Sequence, residues 1–342
     1  MANEMEKVLK ELNSELKSDG AFQLGIKFVD LPRIKFSSPE FNYMTYGGLP
    51  QKGIVEFLGE ESSGKSTMCL DIVKNYQSMN TGRSIIYVDA ERTLDPEWAT
   101  KLGVDVNNLI VYSPPDGTYC EKMFDDILYA IDKFKPGLVV LDSIGTLVSK
   151  SEMEKDVEES TYGGVATALT KFVKKLNSKV SEYNTLFIGI NQTREDLSGY
   201  HLLKSPGGKA WKFHCSMRIE FRRGKFVDEG NKEISSNAEN PFGHIIEARI
   251  VKNKICPSDR RIAHSILRYA EGIDYIHDLI EVAIKKDVIQ KGGAFYSIID
   301  KDTGQIVEDK KILLKFQGMA KLRDYLKSNL KILDYLYKQI EK

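Results

Sequence analysis

Ile54-Val55-Glu56-Phe57-Leu58-Gly59-Glu60-Glu61-Ser62-Ser63-Gly64-Lys65-Ser66-Thr67-Met68-Cys69-Leu70-Asp71-Ile72-Val73 reads as three physical segments in a row. The apolar run 54–58 suits a buried strand, and 67–73 suits the helix that follows. Between them, Gly59 to Ser66 has the G-x-x-x-x-G-K-[ST] spacing of a phosphate-binding loop in the strand–loop–helix setting that its chemistry requires. The glycines let the backbone curl so that successive N–H groups face phosphate oxygens, and the helix N-terminus adds partial positive charge. Lys65 offers a point charge to the β- and γ-phosphates, and the Ser66 hydroxyl offers a ligand to Mg²⁺. The stretch implies a bound nucleoside triphosphate. A glycine-rich turn with a chance lysine would need neither flanking element.

On either side of this stretch, apolar strands alternate with helical stretches from about Phe36 to Gly272, which predicts a mostly parallel sheet covered by helices. The expected strands are 84–88, 137–141, 186–190, 217–221 and 244–251. Beyond Gly272 the pattern turns mostly helical, with one short strand near 294–299. Near the start, Met5, Val8, Leu9, Leu12 and Leu16 share one face at helical spacing, and Ser18-Asp19-Gly20 should end that helix. Such a helix more often packs on its own domain than on a neighbouring subunit.

The 342 residues include 49 Lys+Arg and 49 Asp+Glu, so net charge leaves no nucleic-acid footprint; any such footprint must be local. The opening residues are too polar and acidic for a signal peptide, and no apolar run reaches membrane-spanning length. The four cysteines form no CxxC pair and the five histidines lack metal-ligand spacing, which points to reduced thiols in a cytoplasm and to no zinc site. From Lys310 onward there are nine Lys/Arg against three Asp/Glu, a solvated helix face or a weak surface for polyanions.

In open α/β sheets the ligand lies beyond the carboxyl ends of the strands. Polar residues gather there: Gly59 opens the loop, Asp89-Ala90-Glu91 follows 84–88, Asp142-Ser143 follows 137–141, and Asn191-Gln192 follows 186–190. Asp142 fits a Walker-B carboxylate that holds Mg²⁺ through its water shell. The residue after it is Ser143 rather than a second carboxylate, so the group that orients or deprotonates water must come from elsewhere, and Glu91 is best placed. Gln192 could hydrogen-bond the γ-phosphate and report its presence to whatever follows. Two long polar stretches, 149–164 and 193–208, stand beside the site, and compact domains rarely keep such loops idle.

These residues resemble the bacterial RecA family of homologous-recombination ATPases. The likeness runs from Gly47-Gly48-Leu49-Pro50 through the phosphate loop and Asp89-Ala90-Glu91-Arg92-Thr93-Leu94-Asp95-Pro96. It continues through Val140-Leu141-Asp142-Ser143, Ile190-Asn191-Gln192, Ala210-Trp211-Lys212-Phe213, Val251-Lys252-Asn253-Lys254-Ile255 and Glu271-Gly272-Ile273. It implies an α/β, RecA-type P-loop ATPase core over residues 34–272, an N-terminal helical arm for subunit docking over 1–33, and a small α+β C-terminal domain over 273–342. It further implies a DNA-dependent ATPase that uses ATP and Mg²⁺ to form helical filaments on single-stranded DNA, pairs that DNA with a homologous duplex and exchanges strands. Loader or single-strand-binding proteins would be further partners, in the cytoplasm of a bacterium or a phage-infected host.

Carried over residue by residue, Gly59, Glu60, Glu61, Ser62, Ser63, Gly64, Lys65, Ser66 and Thr67 bind phosphate. Ser66 and Asp142 hold the metal, and Glu91 is the catalytic carboxylate. Gln192 couples the γ-phosphate to the second DNA loop. Asp95 and Trp98 occupy positions that meet the adenine in relatives, with Trp98 in place of the usual tyrosine; Ser143 and Tyr269 join the nucleotide-contacting set. Lys252 and Lys254 match lysines that reach the γ-phosphate of the neighbouring subunit. The stretches 149–164 and 193–208 match the two DNA-binding loops, with Lys174, Arg194, Gly207 and Gly208 as DNA contacts.

Several departures stand out. The Thr-Gly-Ser run upstream of the core is absent, with Phe36-Ser37-Ser38-Pro39 nearby; Tyr200 and His201 sit inside the second loop; Thr167 stands where relatives carry an arginine; and the tail is basic where many are acidic. They mark a divergent branch, compatible with a phage-encoded member. Two other functions fit parts of the pattern: a ring helicase on the same core, which would unwind a forked duplex, and a nucleotide-switched regulator, whose hydrolysis would ignore single-stranded DNA.

Overall fold

The computed structural model describes residues 2–17, 22, 32–155, 164–193 and 206–341. The chain forms two units, Met1–Arg33 and Ile34–Lys342. In the first, α1 spans Ala2–Glu15, and the Asn13 amide exchanges hydrogen bonds with the backbone N–H and C=O of Phe22 at 2.9 and 2.8 Å. The expected stop at 18–20 lies outside the described residues.

The second unit is built on a nine-stranded sheet. In chain order its strands are β1 (Gly53–Gly59), β2 (Ile85–Asp89), β3 (Ile110–Tyr112), β4 (Leu138–Asp142), β5 (Leu186–Gln192), β6 (Met217–Val227), β7 (Gly243–Asn253), β8 (Ile262–Arg268) and β9 (Gly272–Ile273). Their spatial order is β9-β8-β7-β6-β1-β5-β4-β2-β3. The six strands from β6 to β3 run parallel, while β7, β8 and β9 fold back antiparallel beside β6.

Helices cover both faces, which is why the parallel strands read as near-continuous apolar runs. Alternate residues of each strand serve opposite faces. Val55, Phe57, Ile85, Tyr87, Leu138, Val140 and Ile188 join Phe41 and Met44 of α2 (Pro39–Met44) and Met68, Ile72, Val73 and Tyr76 of α3 (Lys65–Ser78) in one cluster. Ile54, Val88, Val139, Leu141 and Phe187 join α5 (Cys120–Phe134), α7 (Gly164–Glu182) and α8 (Gly208–His214) in the other. Gly189 in β5 has no room for a side chain, because a Cβ there would lie 2.5 Å from the indole of Trp211.

A third cluster gathers Leu279, Ile280, Val282 and Ala283 of α9 (Tyr275–Lys285) with Leu322 and Leu326 of α10 (Met319–Ser328) and Leu336 and Ile340 of α11 (Leu330–Glu341). These pack with a three-stranded antiparallel sheet of β10 (Ile289–Gly292), β11 (Phe295–Ile298) and β12 (Lys315–Gln317). The expected single strand at 294–299 therefore has partners that the sequence reading missed. Ile-Gln-Lys-Gly and Lys-Phe-Gln are too short and too polar to show an apolar run. The edge strand β3 escaped for the same reason of length. No described helix is long and apolar enough to cross a membrane.

Candidate nucleotide site

β1 delivers Gly59 at φ +152°, and a Cβ there would lie 2.1 Å from the Phe221 carbonyl oxygen, so the loop can turn at this point only with glycine. Gly64 closes the loop in the left-handed region and precedes α3 without any side-chain cap, which leaves the first helical N–H groups open to a ligand. The Lys65 ammonium turns back into its own loop and donates to the Glu60 carbonyl at 2.5 Å. Burial lowers the Lys65 pKa, opposed by the nearby carboxylates of Asp142, Glu91 and Glu61.

Asp142 ends β4 in register with Asp89 of β2 and is 4% exposed. Burial raises its pKa, opposed by hydrogen bonds from the Tyr87 hydroxyl, at 2.8 Å, and from Ser66. The Ser66 hydroxyl and the Asp142 carboxylate thus meet directly, an all-oxygen pair that fits a hard divalent cation such as Mg²⁺. Beside them, the Ser143 hydroxyl donates to Glu91 Oε1. Asp89 instead serves structure: its two oxygens accept the Thr93 and Leu94 N–H groups at 3.0 and 3.1 Å. Gln192, half-buried, ends β5 directly opposite Gly59 in the parallel ladder.

The sequence-predicted residues Lys65, Ser66, Asp142, Glu91, Ser143 and Gln192 thus converge on one edge of the sheet. Asp95 and Trp98 lie on α4 (Pro96–Lys101), where Asp95 is the N-cap that accepts from the Glu97 and Trp98 N–H groups. Trp98 packs half-buried on the α3-side core. Tyr269 follows β8, its hydroxyl 3.0 Å from His244 Nδ1. The turn after it approaches α4: a Cβ on Gly272 would lie 3.2 Å from Leu102.

Lys252 and Lys254 face another way. β7 runs on to Asn253, with Lys252 paired to Arg218, so the expected strand 244–251 stops two residues short and Lys252 lies within the ladder. The ladder bond forms because polar residues fit a half-exposed strand as well as a loop. Lys252 donates to the carbonyls of Lys212 and Phe213 at 2.5 and 2.8 Å, and Lys254 donates to that of Phe213 at 3.2 Å. Both ammoniums also lie over the Phe213 ring, 70% exposed.

Of the two polar stretches, Ser149 and Glu152 form a capping box on the short helix α6 (Lys150–Met153), and a Cβ on Gly164 would lie 2.1 Å from the Ser149 hydroxyl. The ends of the first stretch are therefore pinched together. In the second, Gly207 takes φ +103° and caps α8, and Gly208 is its first residue. Lys174 is exposed on α7. Arg194, Tyr200 and His201 lie outside the described residues.

Sequence reasoning assigned nothing to Tyr87 or Glu56. Tyr87 reads as one more strand aromatic; its only signal is a hydroxyl inside an otherwise apolar run. Glu56 carried a clearer one, a carboxylate in the middle of a buried strand.

A twisted, mostly parallel sheet with a glycine loop entering a helix at its carboxyl edge defines the P-loop class of α/β proteins. The family model described as the RecA N-terminal domain matches residues 4–274. The chain is 35% identical over 288 residues to Protein RecA of Sulfurovum sp. (strain NBC37-1), covering 83% of this chain and 78% of that one. It is 34% identical over 298 residues to Protein RecA of Aquifex aeolicus (86% and 78%), and 36% over 278 to that of Aquifex pyrophilus (80% and 75%). The chain belongs to the RecA family, whose members are nucleotide-binding proteins of DNA recombination and repair.

Proposed function

We propose that this chain is a DNA-dependent ATPase that assembles with ATP on single-stranded DNA and promotes homologous pairing and strand exchange. The observation that carries the reading is the convergence of Lys65, Ser66, Asp142 and the Ser143–Glu91 pair at the carboxyl edge of the parallel strands. The loop N–H groups and Lys65 bind the phosphates. Ser66 and Asp142 hold Mg²⁺, which neutralises charge on the phosphates when bound. Tyr87 fixes one Asp142 oxygen, so the carboxylate keeps one orientation. The Ser143 hydroxyl fixes Glu91 Oε1 and leaves Oε2 to orient a water and take its proton. Trp98, Asp95 and Tyr269 form the adenine side. Lys252 and Lys254 act on the γ-phosphate held by the next copy in a head-to-tail filament, a heterologous contact that does not close.

In this reading residues 1–33 are the docking arm, 34–272 the ATPase core and 273–342 an appended domain. The ends of the stretches 149–164 and 193–208, with Lys174, Gly207 and Gly208, meet the DNA backbone and read charge rather than base edges. The decisive experiment is electron microscopy with single-stranded DNA and a slowly hydrolysed ATP analogue. Helical filaments are expected. Closed rings, or no assembly together with hydrolysis indifferent to DNA, would overturn the reading.

A further inference from the structure

Glu56 stands in the middle of β1, three residues before the phosphate loop, and is 0% exposed. Its Oε2 accepts from Arg218 Nε on β6, and its Oε1 accepts from Asn191 Nδ2 on β5 at 2.8 Å. The same amide nitrogen donates its second hydrogen to the Pro206 carbonyl at 2.9 Å. Both partners are acceptors only, so the amide is fixed one way round, nitrogen inward. Asn191, itself 0% exposed, immediately precedes Gln192. Pro206 immediately precedes Gly207, the left-handed residue that caps α8. Three elements are tied through one side chain.

A carboxylate this deep is a poor source of stability, because desolvation offsets much of its attraction to arginine. Its other effect is geometric. Glu56 and Arg218 hold the Asn191 amide in place, and hydrogen bonds of 2.8 and 2.9 Å leave little slack between β5 and the entry to α8. Trp211, packed against Gly189, seats α8 on the same strand. We propose that Asn191 is a positioning residue that couples the end of β5, where Gln192 faces the phosphate loop, to the Gly207-Gly208 backbone. The proposal rests on the roles given above to Gln192 and Gly207-Gly208.

The test compares single-stranded DNA affinity with the ATP analogue and with ADP, alongside affinity for the analogue itself. In Asn191→Leu the ratio of the two DNA affinities should fall by about tenfold, the scale of one buried hydrogen bond, while analogue binding stays near the parent value. The exchanged pair Glu56→Gln with Asn191→Asp separates fold from coupling. It rebuilds the bond between 56 and 191 with donor and acceptor reversed, leaves the amide carbonyl oxygen at 56 to accept from Arg218 and keeps the net charge of the cluster, yet the ionised carboxylate at 191 offers Pro206 no donor. A parent-like melting temperature with the ratio still lost is expected. A parent-like ratio in either folded variant overturns the proposal. Amide hydrogen exchange of Lys209 to Trp211 in the parent, without DNA, should change on adding the analogue; unchanged exchange also overturns it, whatever the variants' folding. A parent whose DNA affinity ignores the nucleotide would instead sink the proposed function, and exchange alone would then judge the coupling.

Discussion

The parallel and antiparallel halves of the sheet hold their functional cations in opposite ways. Lys65, on the parallel half, is 8% exposed and lies among the carboxylates of its own site. Lys252 and Lys254, on the antiparallel half, turn outward onto the last carbonyls of α8 and an exposed aromatic ring. A helix C-terminus suits a cation, so these lysines are stable where they are and need no ligand. One half thus carries its cation inside a cluster of carboxylates, while the other leaves its two lysines on the surface, where the proposed head-to-tail contact would use them.

The largest effect is expected at Lys254. Lys254→Ala should slow DNA-stimulated hydrolysis by about a thousandfold, the lower range for a cation acting across an interface, with nucleotide binding by isolated subunits retained. Mixed with Glu91→Gln, it should recover part of the activity, since about a quarter of random heterologous interfaces pair two intact residues. No recovery in verified mixed filaments would place both residues in one chain's site.

Glu91→Gln alone should lower turnover by about a hundredfold or more while binding ATP, because the amide keeps the shape and cannot take a proton. Parent-rate hydrolysis would remove Glu91 from the mechanism. Lys65→Ala should act on binding instead, weakening nucleotide affinity by about ten- to a hundredfold through loss of a charge-assisted hydrogen bond, as titration calorimetry would read. Equal affinity would mean that the buried ammonium serves only its own loop.

A pH experiment sharpens the contrast within the antiparallel half. Burial holds the His244 imidazole down to about 4, whereas an unfolded histidine titrates near ~6.5. Between these values the unfolded chain binds more protons, so stability present above ~6.5 is lost as pH falls through about 4, by at most about 3 kcal/mol. His244→Gln should flatten that loss in urea melts taken across the interval; an unchanged slope would clear His244. The smallest effect is expected at Trp98→Ala, a several-fold loss of ATP affinity from about 0.5–1.5 kcal/mol of aromatic stacking. No change would leave Trp98 to the core.

Much of the site was legible because its chemistry demands fixed spacings. Gly59 to Ser66 can form a phosphate loop only between a strand and a helix, and Asp142 and Glu91 declare themselves as carboxylates ending apolar runs. The parallel half of the fold followed from the same runs. What stayed hidden depends on pairing across the chain. Nothing local shows that Tyr87 meets Asp142, that Glu56 meets Asn191, or that β7 to β9 turn antiparallel, since a half-exposed ladder tolerates lysine and arginine. The small sheet beside α9 hid because its strands are short and polar.

One feature of the large sheet bears on crowding. Its two outer strands are the shortest in it: β3 covers only Ile110–Tyr112, and β9 only Gly272–Ile273. Long open edges invite other chains to add strands, which is the route to amyloid-like aggregation. A protein proposed to stack many copies along one DNA molecule would meet that hazard at high local concentration. Edge strands this short offer little template of their own for cross-β growth. In the proposed filament, neighbouring copies would then be crowded together with little strand edge of that kind between them.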